Sequence, residues 1–310
     1  MTATNKQEEG YHVPVMLKEC LEGLEINPDG IYVDVTFGGG GHSREIFKQL
    51  SSKGRLIVFD QDPDARKNAW EADNFHFIAS NFSFISNHLK MMGFPKVDGI
   101  LADLGVSSHQ FDDGNRGFSI RSNDPLDMRM NQAGDVTART ICHDYTDREL
   151  TKIFREFGEL SNAYKIATTI VMARENKKIK TTGDLMTIIE SCAPKYKEHK
   201  FFAQVFQALR IEVNREMDVL ERFLNQTADV LAPGGRLVVM SYHSLEDRLV
   251  KNYMKRGSIE GEIKKDFYGN VLKPFSEVIR HPIAPTEEEI ERNSRARSAK
   301  LRIAVRNDGE

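Results

Sequence analysis

Residues 34–43 read DVTFGGGGHS: an acid, four consecutive glycines, a histidine and a serine. Glycine loses more conformational entropy on folding than any other residue, so four in a row mark backbone that something must approach closely. A phosphate-binding loop needs Lys and then Ser or Thr after its last glycine, but His42 follows Gly41. A dinucleotide turn needs G-x-G-x-x-G, and its third glycine is Ser43 or Arg44 here, depending on the starting point. The class that remains is S-adenosylmethionine, whose sites pair an acid ending the first strand (Asp34) with a glycine-rich turn (Gly38 to Gly41). Asp60, closing the second apolar run, is then placed to accept hydrogen bonds from ribose hydroxyls.

In a parallel α/β sheet, ligands lie beyond the carboxyl ends of the strands. ADLGVSS puts Asp103, Ser107 and Ser108 at one such end; MSYHSLEDR puts Ser241, Tyr242, His243 and Ser244 at the next. Amine-methylating enzymes of this fold often carry D/S-P-P-Y at the first of these ends; Asp103-Leu104-Gly105-Val106 keeps the acid and lacks the prolines and the tyrosine. The N4 amine of cytosine is a donor that an aspartate accepts. Its lone pair is delocalised into the ring, so an acceptor that localises it and takes the proton lowers the barrier. Asp103 is therefore a candidate catalytic residue, with capping a turn or holding the cofactor's amino group as alternatives. His243 is either a base near neutral pH or a packing histidine. Ser244 with Asp247 reads as a helix N-cap pair, and His42 as a residue that orients the glycine turn. No set of residues has metal-ligand spacing.

The elements that must position these groups follow from periodicity. Apolar runs at 30–37, 54–60, 74–80 and 97–105 predict strands separated by helical stretches, which implies a parallel sheet covered on both faces. Gly114, Gly117 and Pro125, among polar residues, mark a loop over 111–130. Helical periodicity then runs from about 137 to 192, and Phe201 to Leu231 reads as one long amphipathic helix stopped by Pro233-Gly234-Gly235. RLVVMSYHS (236–244) returns to strand. The predicted fold is α/β, a Rossmann-like sheet interrupted by a helical insertion. Its parts are 1–112 and 201–310 for the sheet domain, which the S-adenosylmethionine reading makes a methyltransferase, and 113–200 for the inserted helical domain.

Composition agrees with a globular protein: 310 residues, 40% hydrophobic and 29% charged. The first residues, MTATNKQEEGYH, are too polar for a signal peptide, and no apolar run suits a membrane helix. Cys20, Cys142 and Cys192 are widely spaced, which predicts reduced thiols and a cytosolic protein. Net charge of −3 argues against a protein that coats nucleic acid. Six basic residues without an acid nevertheless fall between Arg292 and Arg306, behind the acidic run Glu287, Glu288, Glu289 and Glu291; Lys177, Lys178 and Lys180 form a second cluster.

Seven blocks occur in order: HVPVMLKE (12–19), DVTFGGGGHS (34–43), DLGVSSHQFDD (103–113), RGFSIR…DPLDMRM (116–130), FQALRIEVNRE (206–216), LAPGGRL…SYHSLEDR (231–248) and EEEIERNSRARSAKLR (287–302). Together they resemble the MraW (RsmH) family of S-adenosylmethionine-dependent cytosine-N4 methyltransferases of small-subunit ribosomal RNA, over nearly the whole chain. The resemblance implies methylation of a cytidine in the decoding region, in the bacterial cytoplasm. It implies cofactor contacts by Gly40, Gly41, His42, Asp60, Phe82, Asp103 and Gln110. It makes phosphate contacts by Arg295 and Arg297 credible, with Arg116, Arg121 and Arg129 gripping RNA or forming a lid. His109 and Ser294 stand where the family commonly has proline, and Gly39 lengthens the turn. A nicotinamide oxidoreductase and a non-enzymatic RNA-binding module are the competing readings, and whether the chain is a monomer or homodimer stays open.

Overall fold

A computed structural model describes residues 14–263, 265–269 and 271–308. The polar N-terminal segment, and His12 and Val13 of the first quoted block, lie outside the described residues. Two compact units divide the chain: Met1–Gly105 with Asp218–Glu310, and Val106–Met217. Among the described residues, no helix is long and apolar enough to cross a membrane.

The first unit holds a sheet of seven strands among the described residues: β1 (Ile31–Asp34), β2 (Arg55–Asp60), β3 (Phe75–Ala79), β4 (Val97–Asp103), β5 (Leu231–Ser241), β6 (Phe275–Glu277) and β7 (Lys300–Arg306). Their order is β3-β2-β1-β4-β5-β7-β6. The first five run parallel, while β7 is antiparallel to both its neighbours. Side chains alternate between faces as strand geometry requires. Val33, Ile57, Phe59, Ile100, Ala102, Leu237 and Val239 pack with Leu89, Phe223 and Tyr253 on one face. Tyr32, Leu56, Val58, Leu101, Val238 and Met240 pack with Cys20, Leu24 and Ile46 on the other. Both faces are buried, which is why the strands read as near-continuous apolar runs. This is the Rossmann-like sheet expected from the sequence.

Two readings of the C-terminal third change. Pro233-Gly234-Gly235 lies inside β5 rather than ahead of it: Val97 pairs with Leu231 and Gly99 with Arg236, so the intervening residues bulge out. Half of the basic run also builds the sheet. Lys300, Arg302 and Arg306 belong to β7, where Arg302 is 8% exposed and bonds Asp247 at 2.7 Å. The charges hid an alternating strand, KLRIAVR, whose apolar positions are Leu301, Ile303 and Val305. Glu289 of the preceding acidic run is likewise buried, accepting the Met16 N–H at 2.6 Å.

The second unit is helical, and its helices begin where local sequence can satisfy the first free N–H groups. Thr137, Thr146 and Thr181 each cap a helix, answered three residues on by Thr140, Glu149 and Asp184. Phe154, Ile166, Ile170, Leu185 and Leu209 fill its core. The unit is wider than the expected 113–200. It takes in Ser108–Asp112 and the helix Glu198–Asn214.

That second boundary is also where the predicted long helix breaks. Helices Glu198–Asn214 and Glu216–Val230 meet at Arg215, which adopts a left-handed conformation (φ 49°). The apolar spacing runs through the break without a proline or glycine, so periodicity alone could not reveal it. Tertiary contacts do. The Asn214 amide donates to the Met128 carbonyl and accepts from Met130 N–H, and Arg210 makes a bidentate pair with Glu216. A left-handed non-glycine residue costs on the order of 1 kcal/mol. Arg215→Gly should therefore raise stability by about 1 kcal/mol in urea denaturation, and Arg215→Val should lower it.

Candidate functional site

Strand β1 has β2 on one side and β4 on the other, so the connections leaving it diverge at its carboxyl end. The backbone records the divergence: Val35 N–H bonds to Leu101 O of β4, whereas Phe37 N–H bonds to Phe59 O of β2. The glycine turn opens from this split.

Asp34 fixes that turn. It is 1% exposed; Oδ1 accepts the Thr36 N–H at 3.0 Å and Oδ2 accepts the Ser43 hydroxyl at 2.6 Å. Thr36 Oγ1 in turn accepts the Asp103 N–H at 2.7 Å. One buried carboxylate thus ties the end of β1 to the helix Gly41–Gln49 and, through Thr36, to the end of β4.

The four glycines have different reasons. Gly38 (φ 50°) and Gly40 (φ 76°) occupy left-handed backbone, and a Cβ on Gly41 would lie 2.4 Å from Pro14. At Gly39 a Cβ would meet nothing within 4 Å. Three glycines therefore serve the protein's own packing, and the extra one, Gly39, is where the turn presents bare backbone to open space.

Asp60 lies beside this turn. Its Oδ2 accepts Gly38 N–H and its Oδ1 accepts Asp62 N–H, both at 2.8 Å. Burial pushes its carboxyl up to about 6, with the two N–H groups pulling the other way. Each oxygen keeps acceptor capacity beyond its amide partner, as a pair of ribose hydroxyls requires. Phe82 follows β3 at the start of a short 3-10 turn and meets Phe223 edge-on at 5.2 Å, leaving part of its ring uncovered.

His42 links three segments. Its Nε2 lies 3.0 Å from Val15 O, and its Nδ1 lies 3.8 Å from Asp103 Oδ2. At the end of β4, the Asp103 side chain keeps 25% of its surface open. Its Oδ1 accepts the Tyr242 hydroxyl at 2.8 Å. Burial raises the Asp103 carboxyl to about 6, opposed by His42 and Tyr242 and reinforced by Asp34 and Glu246. Tyr242, which the sequence placed at a strand end without a role, is in contact with the candidate catalytic acid. No spacing rule could have found it, because the partners are 139 residues apart.

His243 has another task. Its side chain caps the helix Ser244–Arg256 by accepting Glu246 N–H, while Glu246 reaches back to the His243 N–H. The cap is thus one residue earlier than the predicted Ser244–Asp247 pair, and Asp247 binds Arg302 and Lys300 instead. The capping atom is Nδ1; the other ring nitrogen, Nε2, lies 3.2 Å from Glu246 Oε1.

In the helical unit, Gln110 is 6% exposed; it accepts Ser107 N–H and returns its own N–H to Ser107 Oγ. Arg116 is 2% exposed and donates to the carbonyls of Arg129 and Met130. Arg129 forks onto Asp127 and reaches the Gln132 and Gly134 carbonyls. Both arginines, expected to grip RNA or to form a lid, brace the loop that carries them, because a loop rich in bends leaves carbonyls that need donors. Arg121 and Arg297 are exposed and Arg295 is half-buried.

Residues 9–307 match the MraW methylase family. The chain is 58% identical over 295 residues to a Parabacteroides distasonis protein named ribosomal RNA small subunit methyltransferase H, covering 95% of this chain and 97% of that one. A protein of the same name from Cytophaga hutchinsonii is 55% identical, covering 96% of this chain and 99% of that one. Among solved structures, an rRNA methylase from Streptococcus thermophilus aligns at 13% identity with a TM-score of 0.35, covering 94% of this chain and 96% of that one.

Two outcomes test this geometry. Asp34→Ala leaves the Thr36 amide and the Ser43 hydroxyl without their acceptor, and should cost about 3 kcal/mol in denaturant unfolding. For Asp103, a folded-state carboxyl raised to about 6 means that the folded protein holds the extra proton. Wild-type stability should therefore fall as pH rises through roughly 4 to 6. Asp103→Asn, which cannot ionise, should match the wild type near pH 4 and be more stable above pH 7, by up to about 3 kcal/mol. Melting curves at the two pH values read the difference.

Proposed function

The chain belongs to the MraW methylase family, and on that premise we propose that it methylates the N4 amine of a cytidine in the decoding region of bacterial small-subunit ribosomal RNA. S-adenosylmethionine is the methyl donor, and when bound it supplies an electrophilic methyl group on a positively charged sulfur. The observation that carries the reading is Asp103: a partly open carboxylate at the strand end next to a glycine turn that faces open space.

The residues divide the work. Gly40, Gly41 and His42 contact the donor at the turn, beside the bare backbone at Gly39, with His42 lying against the Val15 carbonyl, and Asp60 receives the ribose hydroxyls. Phe82 covers the adenine face, and Gln110 is a further cofactor contact by the family resemblance. Asp103 accepts a hydrogen bond from the cytosine amine, which draws the lone pair out of the ring and toward the methyl group. Its carboxylate then takes the proton that the nitrogen loses on methylation. No nucleophilic side chain is needed. The target base must leave its stack to reach the strand end, and Arg121, Arg295 and Arg297 hold phosphates around it. The helical unit Val106–Met217 is the substrate-recognition element.

Small subunits lacking the modification, incubated with enzyme and S-adenosylmethionine, should yield N4-methylcytidine in nucleoside mass spectrometry. Asp103→Asn should abolish it while binding the donor with near-normal affinity; lost donor affinity would make Asp103 a cofactor contact instead. Rates should fall toward low pH with a midpoint near 6, because the acceptor must be ionised. Methylation at another base would keep the donor and overturn the substrate.

A further inference from the structure

The end of β4 lacks the tyrosine that amine-methylating relatives of this fold carry there, yet a phenol reaches Asp103 all the same. It comes from the end of β5. The Tyr242 hydroxyl donates to Asp103 Oδ1 at 2.8 Å, and it is the one side-chain hydrogen bond that this carboxylate accepts among the described residues.

The backbone that carries the donor is anchored. Glu246, 2% exposed in the first turn of the helix Ser244–Arg256, accepts the Tyr242 N–H at 2.9 Å, where the positive end of the helix dipole favours its charge. The remaining groups around Asp103 do not replace the phenol. His42 Nε2 lies 3.0 Å from the Val15 carbonyl, and its Nδ1 is 3.8 Å from Asp103 Oδ2, beyond hydrogen-bond reach, so it acts on the carboxylate through space without fixing its plane. Asp34 and Glu246 act on Asp103 as like charges, and Cys20 is a buried thiol without charge near neutral pH.

We infer that Tyr242 is a positioning residue for the proposed methyl transfer: by occupying Oδ1 of Asp103 it sets the plane of the carboxylate and leaves Oδ2 as the oxygen that meets the cytosine amine. This rests on the reading of Asp103 as the amine's acceptor. The phenol has a second effect on the same group. It stabilises the ionised carboxylate in a site where burial and two neighbouring acids favour the proton. Phenylalanine keeps the ring and its packing while removing the donor, so it isolates the hydrogen bond.

The test compares wild type and Tyr242→Phe in methylation of small subunits between pH 5 and 9, alongside donor binding by calorimetry. The expected variant binds S-adenosylmethionine normally and turns over roughly 10-fold more slowly at pH 7, the scale of one hydrogen bond to a charged group. Its acid limb should lie about one pH unit higher, so that the deficit shrinks by pH 8.5. An equal loss at every pH, or no loss, overturns the inference. NMR titration of carboxyl-labelled aspartates, with Asp103→Asn assigning the signal, reads the contact without turnover. An unmoved Asp103 titration in Tyr242→Phe overturns the inference, and a shift of about one unit upward supports it. If the unsubstituted enzyme methylates a different base, the substrate reading fails and the limb shift is measured on that base. If it methylates nothing, the titration alone decides.

Discussion

The buried carboxylate of Asp34 is the interaction on which the site depends. Its two oxygens hold the chain on both sides of the glycine turn, and Thr36 extends the hold to the amide of Asp103. A run of glycines has no intrinsic shape, since each residue can take most of the allowed backbone. The turn therefore has one conformation only because its flanks are tied down, by Asp34 at either end and by Asp60 on the Gly38 N–H. This lets backbone entropy be paid at four positions without leaving the loop mobile.

Two acids held out of water define the chemistry. Asp60 and Asp103 both titrate near 6, for the same first cause, burial, but with different helpers. Backbone amides favour the charge on Asp60, which suits a fixed acceptor. A phenol and an imidazole favour it on Asp103. Above pH 6 each acid weakens the fold that contains it, the usual tension between a poised site and stability.

Arginines show how little a residue type says about its task. Arg116 and Arg129 brace the loop around 116–134, Arg210 spans a helix break onto Glu216, and Arg302 pairs with Asp247 inside the sheet unit. Arg121 and Arg297 face solvent. A guanidinium has five donors, so wherever turns leave carbonyls unpaired it is drawn inward. The basic run near the C-terminus divides in the same way: Arg295, half-buried, and Arg297, exposed, lie in a 3-10 turn, while Lys300, Arg302 and Arg306 are woven into β7.

The sequence by itself determined the alternating strands, the glycine turn with its acids Asp34 and Asp60, the strand-end Asp103 and, through long ordered blocks, the family. Those features are local or rest on resemblance: strand period, turn composition and the acid at the end of an apolar run all lie within a few residues of one another. Only the tertiary structure decided that Tyr242 reaches Asp103, that His243 caps a helix, that a Cβ at Gly41 would strike Pro14 while one at Gly39 would meet nothing within 4 Å, and that the helix over 201–231 breaks at Arg215. Each of these depends on a partner from another element: β5 for Asp103, Pro14 for Gly41, the Met128–Met130 loop for Asn214. Periodicity records which face a residue presents to a core. It carries no information about which atom waits there, because that is set by how separate elements pack together.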